Sequence, residues 1–268
     1  VVVGMIIQTL RSNQWCWSGA ADVYKRHGEP SGPAVNTSAE VVGELIATGS
    51  HAYVFKHKSE PDWVVKITKF SALAPILREA KILHQLSLRS PPLFRCNNIP
   101  TLEGIFLPSN VSSEFVGLSV CESLKVKIGG VQVPLPATMM QPFGVASLLA
   151  LFICNSKQIL MDVVSEGITS ALTFIHQQGI YHLDVKPNNI VVRFDADKKP
   201  IKAILIDFSI AYSPEHEVER NKMSVGFQGT PNYTHREVFS KYPDKKWKPN
   251  ENYDLVGLGF TMSVLAHN

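Results

Sequence analysis

The sequence predicts an α+β chain in which a small antiparallel sheet with one helix precedes a mainly helical part. Three observations carry that prediction. Apolar and β-branched residues form three short runs between residues 41 and 68, separated by turn formers, as in a strand meander. Leu160, Val164, Ile168, Ala171 and Ile175 recur at steps of four and three, the spacing of one helix face. Residues 255–265 are apolar on nearly every side, which predicts a helix buried within the larger part.

In chain order, residues 1–40 read as an extension, set apart by the polar, Pro/Gly-bearing run 25–33. Strands are expected over 41–48, 53–56 and 63–68, with Ser59-Glu60-Pro61-Asp62 as the tight connection before the third. Pro75 suits a first helical turn, and Ile76, Ala80 and Leu83 follow at helical spacing, so a helix is expected over about 75–88, packed on the sheet. Residues 102–107 and 131–140 are plausible strands flanking a polar insertion, and Pro142 and Gly144 punctuate a hinge. Gly179 suits the end of the amphipathic helix. Two strands, 190–194 and 201–206, then pair across the turn 195–200.

Composition is that of an ordinary globular chain. The 268 residues are 45% hydrophobic and 18% charged, enough to bury a full core. A formal charge of +3 is too mild to argue for nucleic acid or an acidic membrane as an obligatory partner. Cys16, Cys96, Cys121 and Cys154 lie far apart, without Cys-x-x-Cys or zinc-finger spacing, and read as reduced thiols. The apolar start 1–10 is too short to span a bilayer and has no basic leader. An intracellular protein is therefore expected, and the absent initiator Met suggests an excised piece.

The chemistry concentrates in Tyr181-His182-Leu183-Asp184-Val185-Lys186-Pro187-Asn188-Asn189, which sets a carboxylate, an ammonium and an amide in the order phosphoryl transfer uses. The run resembles a protein-kinase catalytic loop. Further matches follow in kinase order: Lys66 in Trp63-Val64-Val65-Lys66-Ile67, Glu79 in Arg78-Glu79-Ala80-Lys81-Ile82-Leu83, Asp207-Phe208-Ser209, Gly229-Thr230-Pro231-Asn232-Tyr233 with Glu237, and Asp254 in Tyr253-Asp254-Leu255-Val256-Gly257. The resemblance covers about 41–268. It implies a two-lobed kinase fold: lobe and hinge over 41–143, and a helical lobe over 144–268 that is incomplete after its central helix.

By that resemblance, Asp184 orients the attacking hydroxyl, Lys186 balances charge on the moving phosphoryl group, and Asn189 and Asp207 hold Mg²⁺. Lys66 meets the α and β phosphates of ATP while paired with Glu79. Gly49, Val54, Val64, Met140, Gln141, Phe143 and Val191 would contact the nucleotide, with Met140 beside adenine and Gln141 and Phe143 in the hinge. His182 and Phe208 are packing residues, joined with Leu83 and Asp254 in a spine. Thr230 with Lys186 favours Ser/Thr over Tyr acceptors, so a protein substrate and ATP are the partners implied. The basic run 241–248 reads as a solvated loop, with attraction of acidic substrates the sharper alternative.

The chain also departs from the pattern. Gly49-Ser50-His51-Ala52-Tyr53-Val54 keeps only the first glycine of the phosphate-covering loop. Leu183 replaces the arginine that pairs with an activation-loop phosphate, so activity independent of that switch is expected. Ser209 replaces a glycine, which is expected to restrict the backbone there, and His235-Arg236-Glu237 stands where Ala-Pro-Glu is usual. These features are similar to divergent kinases of large DNA viruses, notably the herpesvirus type; divergent fungal kinases share the eroded loop. Two competing readings remain: a pseudokinase serving as a binding scaffold, and a small-molecule phosphotransferase, which Lys186-Pro187 and 229–233 argue against.

Overall fold

The computed structural model describes residues 41–48, 52–69, 73–89, 96–107, 119–122, 124–128, 131–142, 144–216, 229–236 and 249–268. Gly49, Phe143, Glu237, the extension 1–40 and the basic run 241–248 lie outside the described residues. The chain divides into two compact units. One runs to Leu73 and resumes over Glu103–Met140; the other comprises Ala74–Leu102 and Gln141–Asn268.

The first unit is built on a meander of β1 (Val42–Thr48), β2 (Ala52–His57) and β3 (Val64–Thr68). The β2–β3 connection is capped by His57, whose Nδ1 accepts the N–H groups of Ser59 and Glu60 at 3.2 and 3.0 Å. Strands β4 (Thr101–Leu107), β5 (Ser119–Glu122) and β8 (Ala137–Gln141) complete a six-stranded sheet of order β1-β2-β3-β8-β4-β5. Between β5 and β8, β6 (Leu124–Ile128) and β7 (Val131–Leu135) form a separate antiparallel pair. The single strand expected over 131–140 is thus two strands. Pro136 interrupts the run, and a proline has no N–H to give to a ladder. Phe55, Val65, Ile67, Phe106, Ala137 and Met139 form this unit's apolar cluster, with Leu45, Tyr53 and Trp63 packed on it.

In the second unit, α1 (Leu73–Arg89) is bonded to the chain that follows Asp207. Glu79 Oε1 accepts the Phe208 N–H at 3.0 Å, Arg78 donates to the Ala211 carbonyl at 3.4 Å, and Gln85 Oε1 accepts the Ser213 hydroxyl at 3.3 Å. After a two-residue strand β9 (Val145–Ala146) comes α2 (Ser147–Ile153), a helix that the sequence alone does not predict. Its sequence SLLALFI offers no polar face to reveal a period. Only Ser147 and Ala150 are buried, and Phe152 is 87% exposed.

Helix α3 (Lys157–His176) starts at Ser156, whose hydroxyl accepts the Ile159 N–H, and the chain leaves it through Gly179 at φ +71°. It is apolar and long enough to cross a membrane by composition. Here its face of Leu160, Val164, Ile168, Ala171 and Ile175 is wholly buried, with β11 (Pro200–Leu205) and α4 (Asn252–His267) as its neighbours. Strand β10 (Ile190–Phe194) pairs antiparallel with β11 on one side and β9 on the other. In α4, Tyr253, Asp254, Gly257, Leu258, Thr261 and Leu265 are buried, but Leu255 is 46% and Phe260 52% exposed. The expectation of burial all round is corrected: the described elements cover one side of α4.

Candidate active site

The strand pair β10–β11 sets the first distances. Ile190 pairs with Leu205, and the next backbone bond runs from Ile206 N–H to the Asn189 carbonyl at 2.8 Å. That register brings Asn189 opposite Ile206, one residue before Asp207. Asp207 itself has φ +69° and ψ +70°, a left-handed conformation that aspartate tolerates better than most residues. A 3-10 turn, Phe208–Ile210, follows. The restriction expected from Ser209 therefore does not arise there: the left-handed position falls on Asp207, and Ser209 lies within the 3-10 turn.

Within the loop, Asp184 is a hub. Its Oδ2 accepts the Asn189 amide at 2.8 Å and lies 2.6 Å from the Lys186 ammonium, while Oδ1 accepts the Thr230 hydroxyl at 2.9 Å. Lys186 also donates to Thr230 Oγ1 at 2.7 Å, so aspartate, lysine and threonine close a triangle. An ionised carboxylate offers about four acceptor sites. Among the described residues three are taken by these donors, which leaves one for a hydroxyl brought from outside.

Asn189 is oriented by the same contacts. Its NH₂ donates to both the Asp184 carbonyl and the Asp184 carboxylate, at 2.9 and 2.8 Å. Since both partners are acceptors, the amide orientation is fixed by chemistry, and Oδ1 is the atom left over. Among the described residues that oxygen accepts no hydrogen bond. A hard oxygen in this position, beside the strand end bearing Asp207, fits a Mg²⁺ ion. Among the described residues no cluster of three His, Cys, Asp or Glu suggests any other metal.

The loop is held from below by α4. Asp254, with no exposed surface, accepts the His182 N–H at 2.8 Å on Oδ2 and the Leu183 N–H at 2.7 Å on Oδ1. His176 Nε2 also lies 2.8 Å from Oδ2. These bonds hold Leu183 at φ +65°, a conformation a leucine avoids when free. His182 Nδ1 accepts the Asp184 N–H at 3.3 Å, so its ring proton sits on Nε2 and is donated to the Ile206 carbonyl at 3.0 Å. His182 and Phe208 stack edge to face, 4.8 Å between ring centres. The sequence alone does not single out His176; a histidine at the end of an apolar helix gives no local signal of its partner in α4.

In the first unit the sheet register sorts the remaining candidates. Val54, Lys66 and Thr138 form one cross-strand row and Val64 pairs with Met140. Strand alternation puts all five on the face opposite the apolar cluster. Val191, in β10, is buried and pairs with Ile204 and Ala146, and Gln141 is half-buried at the end of β8. Lys66 belongs to the first unit and Glu79 to the second.

Burial pushes the Tyr233 phenol above the usual tyrosine value of about 10. As pH rises past 10 the unfolded chain loses this proton first, so stability held below pH 10 declines above it. Tyr233→Phe is expected to flatten the alkaline fall in melting temperature, measured by calorimetry from about pH 9 to 11. An unchanged slope would contradict that assignment.

Residues 148–267 match the protein kinase domain family. The chain is 39% identical over 115 residues to serine/threonine-protein kinase C of Synechocystis sp., a match covering 41% of this chain and 19% of that protein. It is 33% identical over 111 residues to myosin light chain kinase family member 4 of Mus musculus, covering 41% of this chain and 23% of that one. With calcium/calmodulin-dependent protein kinase type II of Caenorhabditis elegans it shares 35% identity over 81 residues, 30% of this chain and 10% of the other. The chain thus spans less than a quarter of the length of these relatives. A crystal structure of a kinase domain superposes with a TM-score of 0.58 at 17% identity, over 91% of this chain and 68% of that one.

Proposed function

We propose, for a chain that has the protein-kinase fold and matches the protein kinase domain over residues 148–267, that it transfers the γ-phosphoryl group of Mg-ATP to a Ser or Thr hydroxyl of a protein. One observation carries the reading: the carboxylate of Asp184 is fixed by Asn189, Lys186 and Thr230, with one acceptor site to spare. Phosphoryl transfer asks little covalent chemistry of a protein and much positioning. Asp184 takes the acceptor hydroxyl into that last site, aligns its oxygen and receives its proton as the bond to phosphorus forms. Lys186, held by Asp184 and Thr230, presents positive charge to the phosphoryl oxygens.

Asn189 Oδ1 and Asp207 would hold Mg²⁺, which when bound neutralises phosphate charge. Lys66 would meet the α and β phosphates, with Glu79 as its carboxylate partner. Val54, Val64 and Met140, on one face of the sheet, would take the adenine, together with Gln141, Val191, Phe143 and Gly49. The Thr230 hydroxyl, bonded to both Lys186 and Asp184, supports an aliphatic acceptor. Protein incubated with labelled ATP and three peptide sets, each bearing only Ser, only Thr or only Tyr, tests this. Label on the Ser or Thr sets is expected. Label on none of them, with the nucleotide bound, would favour the scaffold reading.

Leu183 bears on regulation. It is buried with Tyr212 and Tyr253, with Tyr181 packed on them, so an aliphatic side chain occupies the place of the phosphate-reading arginine. Ser213 is 1% exposed and bonded to Gln85, and so is shielded from modification. Phosphatase treatment is expected to leave kcat/KM unchanged. A strict requirement for phosphate between Ser213 and Thr230 would refute this.

A further inference from the structure

A serine at the start of a helix commonly caps it, accepting an N–H of the first turn on its side chain. Ser147, the first residue of α2, is turned elsewhere: its hydroxyl donates to the Pro187 carbonyl at 2.8 Å, across 40 residues of chain. A carbonyl only accepts, so the direction of this bond is fixed. Both residues are buried, Ser147 with no exposed surface at all. Pro187 opens a 3-10 turn, Pro187–Asn189, and the same oxygen accepts the Ile190 N–H at the turn's exit. Since a proline has no N–H, that oxygen is its only backbone hydrogen-bonding group. Asn189 closes the turn, its N–H donating to the Lys186 carbonyl at 2.9 Å. Turns of this kind have poorer hydrogen-bond geometry than an α-helix and lean on bonds from outside. Strand β9 delivers that bond: Ala146 pairs with Val191, which leaves Ser147 one step further, level with Ile190.

We propose that Ser147 is a positioning residue for phosphoryl transfer: its bond to Pro187 sets the turn that carries Asn189, and with it the amide oxygen offered to Mg²⁺. Buried as it is, Ser147 touches neither nucleotide nor acceptor and acts through Pro187. Both ends of the turn bear on the site. Lys186, which precedes it, lies 2.6 Å from the Asp184 carboxylate, and Asn189, which ends it, donates to the same oxygen at 2.8 Å. A shift of the turn therefore moves the ammonium and the amide together, and a displacement of about 1 Å can cost on the order of a hundredfold in rate. Without the hydroxyl, the Pro187 oxygen keeps the Ile190 N–H alone, so the fold survives while the turn gains freedom. The effect on transfer rests on Asn189 holding Mg²⁺ as proposed; the hold on the turn does not.

Ser147→Ala is tested on the full chain beside Ser156→Ala, which removes the hydroxyl that caps α3 and lies outside the loop. Each should lower the melting temperature by roughly 1–6 °C. Only Ser147→Ala should lower kcat, by about tenfold, with the KM for peptide unchanged. Two further measurements need no turnover. The gain in ADP affinity on adding Mg²⁺, read by titration calorimetry, should shrink about tenfold in Ser147→Ala and stay at the wild-type value in Ser156→Ala. Amide exchange at Asn189 and Ile190 should be faster in Ser147→Ala than in Ser156→Ala, although the two are destabilised alike. Wild-type kcat in Ser147→Ala, an equal loss of kcat in both variants, or equal exchange at Asn189 and Ile190 would each overturn the proposal. A wild-type protein that transfers no phosphate would refute the kinase reading instead, and the ADP and exchange comparisons would still decide the part played by Ser147.

Discussion

Asp254→Ala is expected to lower the melting temperature by roughly 6–20 °C and to abolish phosphoryl transfer with it. The carboxylate is fully buried and takes the N–H groups of His182 and Leu183 as well as a contact from His176. Its removal leaves two buried backbone donors and an imidazole without their acceptor, a loss of about 3–5 kcal/mol. A chain of this size loses about 2–4 °C per kcal/mol. The catalytic effect follows from the same bonds, because they keep Leu183 in its left-handed conformation, one residue before Asp184. Released, Leu183 relaxes toward ordinary backbone angles and turns the Asp184 carboxylate away from Lys186 and Thr230. Asp254→Asn, which retains one oxygen, should fall between the two. Thermal melts and kcat measured on the three proteins check this; an Asp254→Ala protein with normal stability and activity would contradict it.

Gly257→Ala should lower kcat by on the order of a hundredfold while costing only about 1–3 kcal/mol of stability. A Cβ at this position would lie 2.6 Å from the Val185 carbonyl oxygen, 3.0 Å from Val185 Cβ and 3.2 Å from the Tyr233 carbonyl oxygen. Two of these are backbone atoms and cannot swing aside as a side-chain end could. Val185 sits between Asp184 and Lys186, so the displaced atom belongs to the loop whose placement matters most. By contrast, a Cβ on Gly259 in the same helix would meet nothing within 4 Å, and Gly259→Ala is the matched control. Equal kcat for the two variants would show that α4 does not set the loop.

Much of this is readable in the sequence because the signals are local. The meander, α1, α3 and the β10–β11 pair have clear periods and turn residues, and the loop from Tyr181 to Asn189 announces its chemistry by residue type and spacing. Other features depend on distant contacts. Helix α2 escapes because seven residues without a polar face show no period, and the break between β7 and β8 because Pro136 splits a run that looks continuous. By sequence Ser209 is expected to restrict the turn after Asp207, yet the unusual backbone angle belongs to Asp207. The closeness of His176 to Asp254, 78 residues later, and the tight seat of Gly257 under Val185 arise only when α3, α4 and the loop meet. A sequence names candidate reacting groups; the residues that hold them still are chosen by packing.

The central claim is that the carboxylate of Asp184, fixed by three donors, drives transfer of phosphate to a hydroxyl. Single-turnover transfer of labelled γ-phosphate to a Ser/Thr peptide, compared between wild type and Asp184→Asn, measures it most directly. The substitution keeps the size of the side chain but surrenders its role as proton acceptor, so the rate should fall by about 10²–10⁴-fold with nucleotide affinity little changed. Equal rates in the two proteins would place the chemistry elsewhere.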